Sequence, residues 1–373
     1  MESCYGEVPL DDGVRSRRID GINGLSMQIL EAGYQDSDRP LVLLLHGFPE
    51  LAFSWRKLMP LVAARGYHVI APDQRGYGAT TGGDDSYDGD LASFRLSHLV
   101  SDILALLAAL GRQRVAAVAG HDFGSPVAAW CALLHPDIFQ CVALLSAPFA
   151  GPPGPGSDPW PQIDAALAAL DPPRKHYQRY YATREANADM LSSAQGFSAF
   201  LRAYFHCKSH DWPHNHPRAL KSWRAQDLGV LPRYYVMELD KGMAATVAEM
   251  APLPEEVERC TWLTDVELQV YVREFGRTGF QGGLNWYRCA FDAAALADLQ
   301  AFNGRRIEVP ACFIAGRSDW GTYQSPGALE ATSRACASFV GTYFIEEAGH
   351  WVQQEQPLRL DTRLGEFLAQ HAR

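Results

Sequence analysis

The chain has 373 residues, 47% hydrophobic and 20% charged, with 43 acidic against 33 basic side chains and a formal net charge of −10. That composition is globular rather than disordered or fibrous. The acidic balance argues against a general nucleic-acid binder or adhesion to an anionic membrane, since both need a dense basic face.

The length predicts about two domain equivalents, or one large α/β domain carrying an insertion. Residues 1–12 are polar and acidic, without the basic and apolar regions of a secretory signal. No run reaches the roughly 18 apolar residues that a membrane span needs. Residues 371–373 (HAR) carry no retention or lipidation signal. The eight cysteines are too sparse for a disulfide scaffold and include no Cys-x-x-Cys pair. Cys131, Cys141 and Cys312 sit in apolar runs and read as small core residues. Reduced thiols in a cytoplasmic protein are the expectation.

Four short apolar runs punctuate the first 150 residues: 41–45 (LVLLL), 68–71 (HVIA), 115–119 (VAAVA) and 142–145 (VALL). Each is continuous rather than alternating, as in strands covered on both faces of a parallel sheet. Helix-like stretches lie between them. Residues 96–110 have helical apolar spacing and stop at Gly111, a C-terminal signal. Residues 127–134 form another, with Pro126 in the first turn. Strand and helix in alternation predict a doubly wound, mostly parallel α/β sheet with its chemistry collected after the strand C-termini, at His46, Asp73, Asp122 and their later counterparts.

Residues 151–161 (GPPGPGSDPWP) are a linker signal. The aromatic, mostly helical pattern that follows runs to about residue 290, and strand-like runs return at 311–315 (ACFIA) and 341–345 (GTYFI). The expected organisation is therefore a first core part over 1–150, a helical cap over 151–290, and a second core part over 291–373.

Residues 118–125 (VAGHDFGS) have the G-x-nucleophile-x-G pattern of a nucleophile elbow, in which the turn is too tight for side chains at either flank. The nucleophile position holds Asp122, which excludes ordinary lipase or esterase chemistry; as a mere helix N-cap, Asp122 would leave the flanking glycines unexplained. An elbow nucleophile needs an acid and then a histidine further along the chain. Asp319 follows the run at 311–315 and His350 follows the run at 341–345. Singly each reads as a loop residue; as an ordered set at three strand ends they read as a triad. The loop after 142–145 offers Ser146, Ala147 and Pro148 and no competing carboxylate. The turn at 46–49 (HGFP) can aim the Phe48 backbone N–H at the elbow, where with the N–H of Phe123 it would form an oxyanion hole.

The motifs HGFPE (46–50), DQRGYG (73–78), GHDFGS (120–125), GRSD (316–319) and AGHW (348–351) resemble those of the α/β-hydrolase superfamily. The resemblance covers almost the whole chain and implies the α/β-hydrolase fold with an inserted cap. Within that superfamily, an Asp nucleophile implies an epoxide hydrolase, a haloalkane dehalogenase or a fluoroacetate dehalogenase. Residues 280–288 (FQGGLNWYR) resemble the second cap motif of soluble epoxide hydrolases, which implies that Tyr287 activates the epoxide oxygen. Residues 176–181 (HYQRYY) resemble the first cap motif, which implies Tyr177 as its partner, with Tyr180 and Tyr181 one helical turn away as alternatives. His46, Pro49, Trp286 and Trp351 are the substrate-binding side chains expected beside these motifs. Many relatives carry Trp directly after the nucleophile; here Phe123 keeps the backbone N–H but offers no indole N–H to a leaving halide.

The expected activity is therefore hydrolysis of an epoxide to a vicinal diol through an ester on Asp122, with water activated by His350 and with no metal or organic cofactor. A dehalogenase using the same triad, and a ligand-binding relative without turnover, are the alternatives. His206, Cys207, His210, His214 and His216 are close in sequence, but Pro213 is expected to break a helix there and no Cys pair supports a zinc site. Trp160, Trp212 and Trp262 suggest an apolar tunnel for a small-molecule epoxide. The oligomeric state is left open.

Overall fold

Strand β3, Leu41–Leu45, is buried along its whole length, as are β4 (His68–Pro72), β5 (Ala117–His121) and β6 (Val142–Leu145). Such strands cannot leave a face to water, so they sit in the middle of a sheet between helices. In the computed structural model, which describes residues 4–156 and 160–372, they belong to an eight-stranded sheet. The middle of the linker at 151–161, like residues 1–3 and Arg373, lies outside the described residues. The remaining strands are β1 (Val14–Ile22), β2 (Leu25–Ala32), β7 (Ile307–Gly316) and β8 (Cys336–Ile345). The spatial order is β8-β7-β6-β5-β3-β4-β2-β1. From β8 to β4 all neighbours are parallel; β2 and β1 are antiparallel additions at one edge.

The register lines up the strand C-termini. Leu45 pairs with Gly120, His121 with Leu145, and Gly316 with Ile345. The residues that follow therefore emerge on one edge, where ligands bind in sheets of this kind. Helix Leu96–Ala109 and helix Gly124–Leu134 supply covering layers.

Between β6 and β7 the chain leaves the sheet and builds a helical region, including Tyr177–Tyr181, Phe197–Lys208, Asp265–Thr278 and Gln281–Cys289. A short antiparallel ladder of Arg174–His176 with Val236–Glu238 pins it internally. Helix Asp265–Thr278 begins with a capping box between Thr264 and Glu267. Glu267 also pairs with Arg56 of the core at 2.8 Å. No helix among the described residues is long and apolar enough to cross a membrane.

Several sequence expectations shift here. The strand expected at 115–119 starts at Ala117, because Val115 only bridges to Phe139. The runs at 311–315 and 341–345 are the ends of two ten-residue strands. The helix carrying His206 stops at Lys208, well before Pro213, so His210 and His214 leave its axis. His210 instead faces Ser318 Oγ at 2.9 Å, and His214 packs on Trp212.

Candidate active site

The turn after β5 is built around Asp122, whose φ of 50° is left-handed, a costly conformation for a residue with a side chain. A Cβ at Gly120 would lie 2.0 Å from the Gly124 carbonyl, and one at Gly124 2.2 Å from the Leu45 carbonyl. The two flanking glycines are thus required by contact, and they lift Asp122 above the sheet edge. Its Oδ1 accepts the Phe48 backbone N–H at 2.9 Å. The Phe123 N–H lies beside the Gly47 turn, where a Cβ would come within 2.6 Å of it, but makes no hydrogen bond to the carboxylate.

His350 stands between two carboxylates. Its Nδ1 is 3.0 Å from Asp319 Oδ1, and its Nε2 is 3.4 Å from Asp122 Oδ2. Asp319 is held in turn by the Gly321 N–H at 2.7 Å. The backbone of His350 is gripped on both sides: its N–H donates to the Lys208 carbonyl at 2.9 Å, and its carbonyl accepts from His121 Nε2 at 2.7 Å and Ser146 Oγ at 3.2 Å. His121 Nδ1 meets Glu50 Oε2 at 2.5 Å, and Gln353 donates to Glu50 Oε1 at 2.7 Å. Glu355 accepts the N–H groups of Gly349 and Trp351, the residues flanking His350, both at 2.9 Å.

This packing sets the charges. Burial works against the Asp122 carboxylate, but the contact and charge of His350, with Lys208 and His121, outweigh it and hold the group well below the ordinary carboxylate range. Burial likewise opposes a charged His350, yet Asp319 and Asp122 raise its pKa to about 9. Asp319 is also depressed: burial opposes its charge and His350 overrides that.

Two tyrosines from the helical region face this arrangement. Tyr287 packs edge-on against the rings of Phe48 and Phe123, 5.5 and 5.2 Å away, so it covers both backbone positions. Tyr177 lies 6.0 Å from Tyr287 between ring centroids. Burial, then the charge of Asp122, keeps both phenols protonated. The Tyr177 hydroxyl donates to Gln324 Oε1 at 2.9 Å and accepts from Gln178 Nε2 at 3.3 Å. The alternatives are engaged elsewhere: Tyr180 donates to Asp189, and Tyr181 to Tyr204. Helix Gln281–Cys289 reaches this position because Gly282 meets Gly76 backbone to backbone; a Cβ on Gly282 would lie 2.3 Å from the Gly76 carbonyl. Trp286 Nε1 donates to the Arg75 carbonyl at 3.1 Å and locks the same helix down.

The side chains expected to bind substrate are differently placed. His46 spends both ring nitrogens on backbone, Nδ1 toward Gly47 O and Nε2 accepting from Gln74 N–H. Burial lowers its pKa to about 4, so it is a neutral brace for the turn. Pro49 is buried behind a cis Phe48–Pro49 bond. Trp286 and Trp351 wall the site with their rings, since the Trp351 N–H goes to the Phe205 carbonyl at 2.8 Å. Trp160 lines a cavity of about 450 Å³ with Ile163 and Trp223 on the helical region, apart from Asp122. Asp73 is a structural hub, accepting from Tyr5 Oη and the N–H groups of Ala52 and Ala79. Glu50, Lys208, Gln324 and Glu355 were not anticipated. Only Glu50 carried a signal, as the last residue of the HGFPE motif.

The alpha/beta hydrolase fold family matches residues 40–357. The chain is 33% identical over 368 residues to Epoxide hydrolase A of Mycobacterium tuberculosis, covering 95% of this chain and 98% of that protein. It is 34% identical to Epoxide hydrolase B of the same organism, covering 94% and 97%. Among solved structures it resembles an epoxide hydrolase from an endophytic Streptomyces, with a TM-score of 0.77, 30% identity and 96% of each chain covered. Potato (Solanum tuberosum) epoxide hydrolase I is similar at a TM-score of 0.75 and 28% identity, with 96% of this chain and 99% of that one covered.

Proposed function

The chain belongs to the alpha/beta hydrolase fold family and to the epoxide hydrolases within it, and on that premise we propose that it opens an oxirane to a vicinal diol through an alkyl ester on Asp122. The observation that carries this reading is the packing of Tyr287 against Phe48 and Phe123, on either side of the Asp122 carboxylate, with Tyr177 beside it; the Asp122 charge reaches both phenols.

An epoxide is a strained alkyl electrophile with a poor alkoxide leaving group and no carbonyl to polarise. A serine nucleophile would give an ether that water cannot cleave, whereas a carboxylate gives a hydrolysable ester. Oδ2 of Asp122 attacks a ring carbon, the C–O bond on the far side breaks, and a phenol proton passes to the departing oxygen. Esterification removes the Asp122 charge that helps hold the proton on His350; the proton so released restores the phenol. Neutral His350, oriented by Asp319, then takes a proton from water, whose oxygen adds to the ester carbon. The negative charge develops on Oδ1, which already receives the Phe48 N–H. Collapse releases the diol with Oδ2, the acid form of Asp122 protonates the departing oxygen, and His350 remains charged as at the start. The N–H of Phe123 is the second donor of this proposed oxyanion hole.

The indole N–H groups of Trp286 and Trp351 are committed to backbone carbonyls, and Phe123 has none, which counts against a halide-releasing reaction. The test is single turnover of a styrene-type epoxide in heavy-oxygen water. Diol without label, and label in the Asp122 peptide, are expected; label directly in the diol would overturn the ester route, and halide release without epoxide turnover would replace it with the dehalogenase.

A further inference from the structure

Lys208, 3% exposed, ends helix Phe197–Lys208. Its ammonium looks onto five aromatic rings from separate parts of the chain. Tyr204 and Tyr235 are 4.9 Å away, Tyr177 and Tyr234 5.8 Å, and Trp351 5.9 Å. Among the described residues no acceptor atom or carboxylate meets it in a hydrogen bond or ion pair. Ring faces attract a cation, but they do not supply lone pairs for three N–H donors. A lysine buried among rings, with no acceptor for its ammonium, is costly for a fold to hold.

Two features tie this donor to the reacting centre. Tyr177, the proposed partner of the oxirane oxygen, contributes one wall of the cage, and Trp351, which packs 4.6 Å from His350, contributes another. Burial lowers the Lys208 pKa, and the charges of Asp122, Asp319 and Glu50, which all reach it, work in the other direction. Its charge helps to hold Asp122 ionised, but no step above takes a proton or a hydrogen bond from the ammonium.

We propose that Lys208 is a specificity-determining residue whose ammonium binds a carboxylate borne by the substrate close to the oxirane, so that epoxy acids are the preferred substrate class. The proposal rests on the epoxide hydrolase reading and names what that site selects. A carboxylate supplies both the charge and the lone pairs that the rings lack, while the hydrocarbon part of the substrate lies against their faces.

The test compares 3-phenylglycidate with styrene oxide in wild type, Lys208→Met and Lys208→Arg. In Lys208→Met the ratio of kcat/KM for the acid over that for styrene oxide should fall about ten- to a hundredfold, the span of a hydrogen bond to a charged group. The loss should fall mainly in KM, and Lys208→Arg should keep more of the preference. An unchanged ratio, or equal loss on both substrates, would overturn the proposal. Binding of 3-phenylpropanoate, followed by tryptophan fluorescence, gives a readout without turnover: it should weaken in Lys208→Met and persist in Lys208→Arg. Binding indifferent to Lys208 also overturns the proposal. Wild type that turns over neither epoxide yet binds the acid through Lys208 would refute the reaction and keep the anion site.

Discussion

The backbone N–H of Phe48 donates to Oδ1 of Asp122 at 2.9 Å. The two oxygens of the carboxylate are thereby made unequal. Oδ1 carries the backbone hydrogen bond, and Oδ2 lies 3.4 Å from His350 Nε2. The proposed reaction needs this division, because one oxygen must become the ester link while the other stays on the carbonyl.

Replacing His350 with Gln should let the first step proceed and stop the second. An epoxide should then add its own mass to the peptide containing Asp122 and remain there, read by mass spectrometry of the digested protein. Turnover of His350→Gln at the wild-type rate would exclude the histidine as base.

Tyr177→Phe and Tyr287→Phe should each slow ester formation, and the double variant should nearly abolish it. A positioned proton donor is worth about a hundred- to ten-thousandfold. Rapid-mixing fluorescence should resolve the step, because Trp286 and Trp351 lie 5.2 Å from Phe123 and 4.6 Å from His350 respectively. A double variant with normal alkylation would mean that the phenols do not touch the oxirane.

His350 has a pKa raised from 6.5 to about 9 against the opposing effect of burial, by Asp319 and Asp122. A raised pKa means that the stability lent by the paired imidazolium is complete below about pH 6.5 and is lost as the pH rises through about 9. Urea unfolding of wild type and His350→Gln should therefore differ more at pH 6 than at pH 10. In Asp122→Asn one of the raising influences disappears, so the histidine should titrate at lower pH by NMR. An unmoved titration would show that Asp122 does not hold the proton.

Gly282→Ala would place a methyl 2.3 Å from the Gly76 carbonyl. Overpacking of this kind costs about 1–3 kcal/mol, measurable by urea unfolding. Because the same helix carries Tyr287, a displacement near 1 Å should also lower kcat by up to about a hundredfold. Unchanged kcat with reduced stability would separate the docking from the chemistry.

The parallel part of the sheet was legible because its strands are short apolar runs, each closed by residues with chemistry to perform. The hairpin of β1 and β2 was not. Val14–Ile22 carries Arg15, Arg17 and Arg18, so it does not read as an apolar strand. Its charges are compensated across the ladder, where Arg15 and Arg17 both pair with the buried Glu31. The positions of Asp122, Asp319 and His350 could be read because each follows a strand. Lys208 and Glu355 could not, since their significance lies in which groups surround them, and those come from distant parts of the chain. His46 shows the limit of motif reading: its place in the motif suggests a ligand contact, and in the structure both its nitrogens are engaged by backbone.

The carbonyl of Lys208, which receives the His350 N–H, belongs to the inserted region, while the histidine belongs to the core. Grafting a foreign lid onto this scaffold to alter its substrate range would therefore exchange one of the anchors of His350, the proposed base. A successful transplant has to retain the final turn of that helix, and a chimaera that discards it should be crippled in ester cleavage before its new specificity can be expressed.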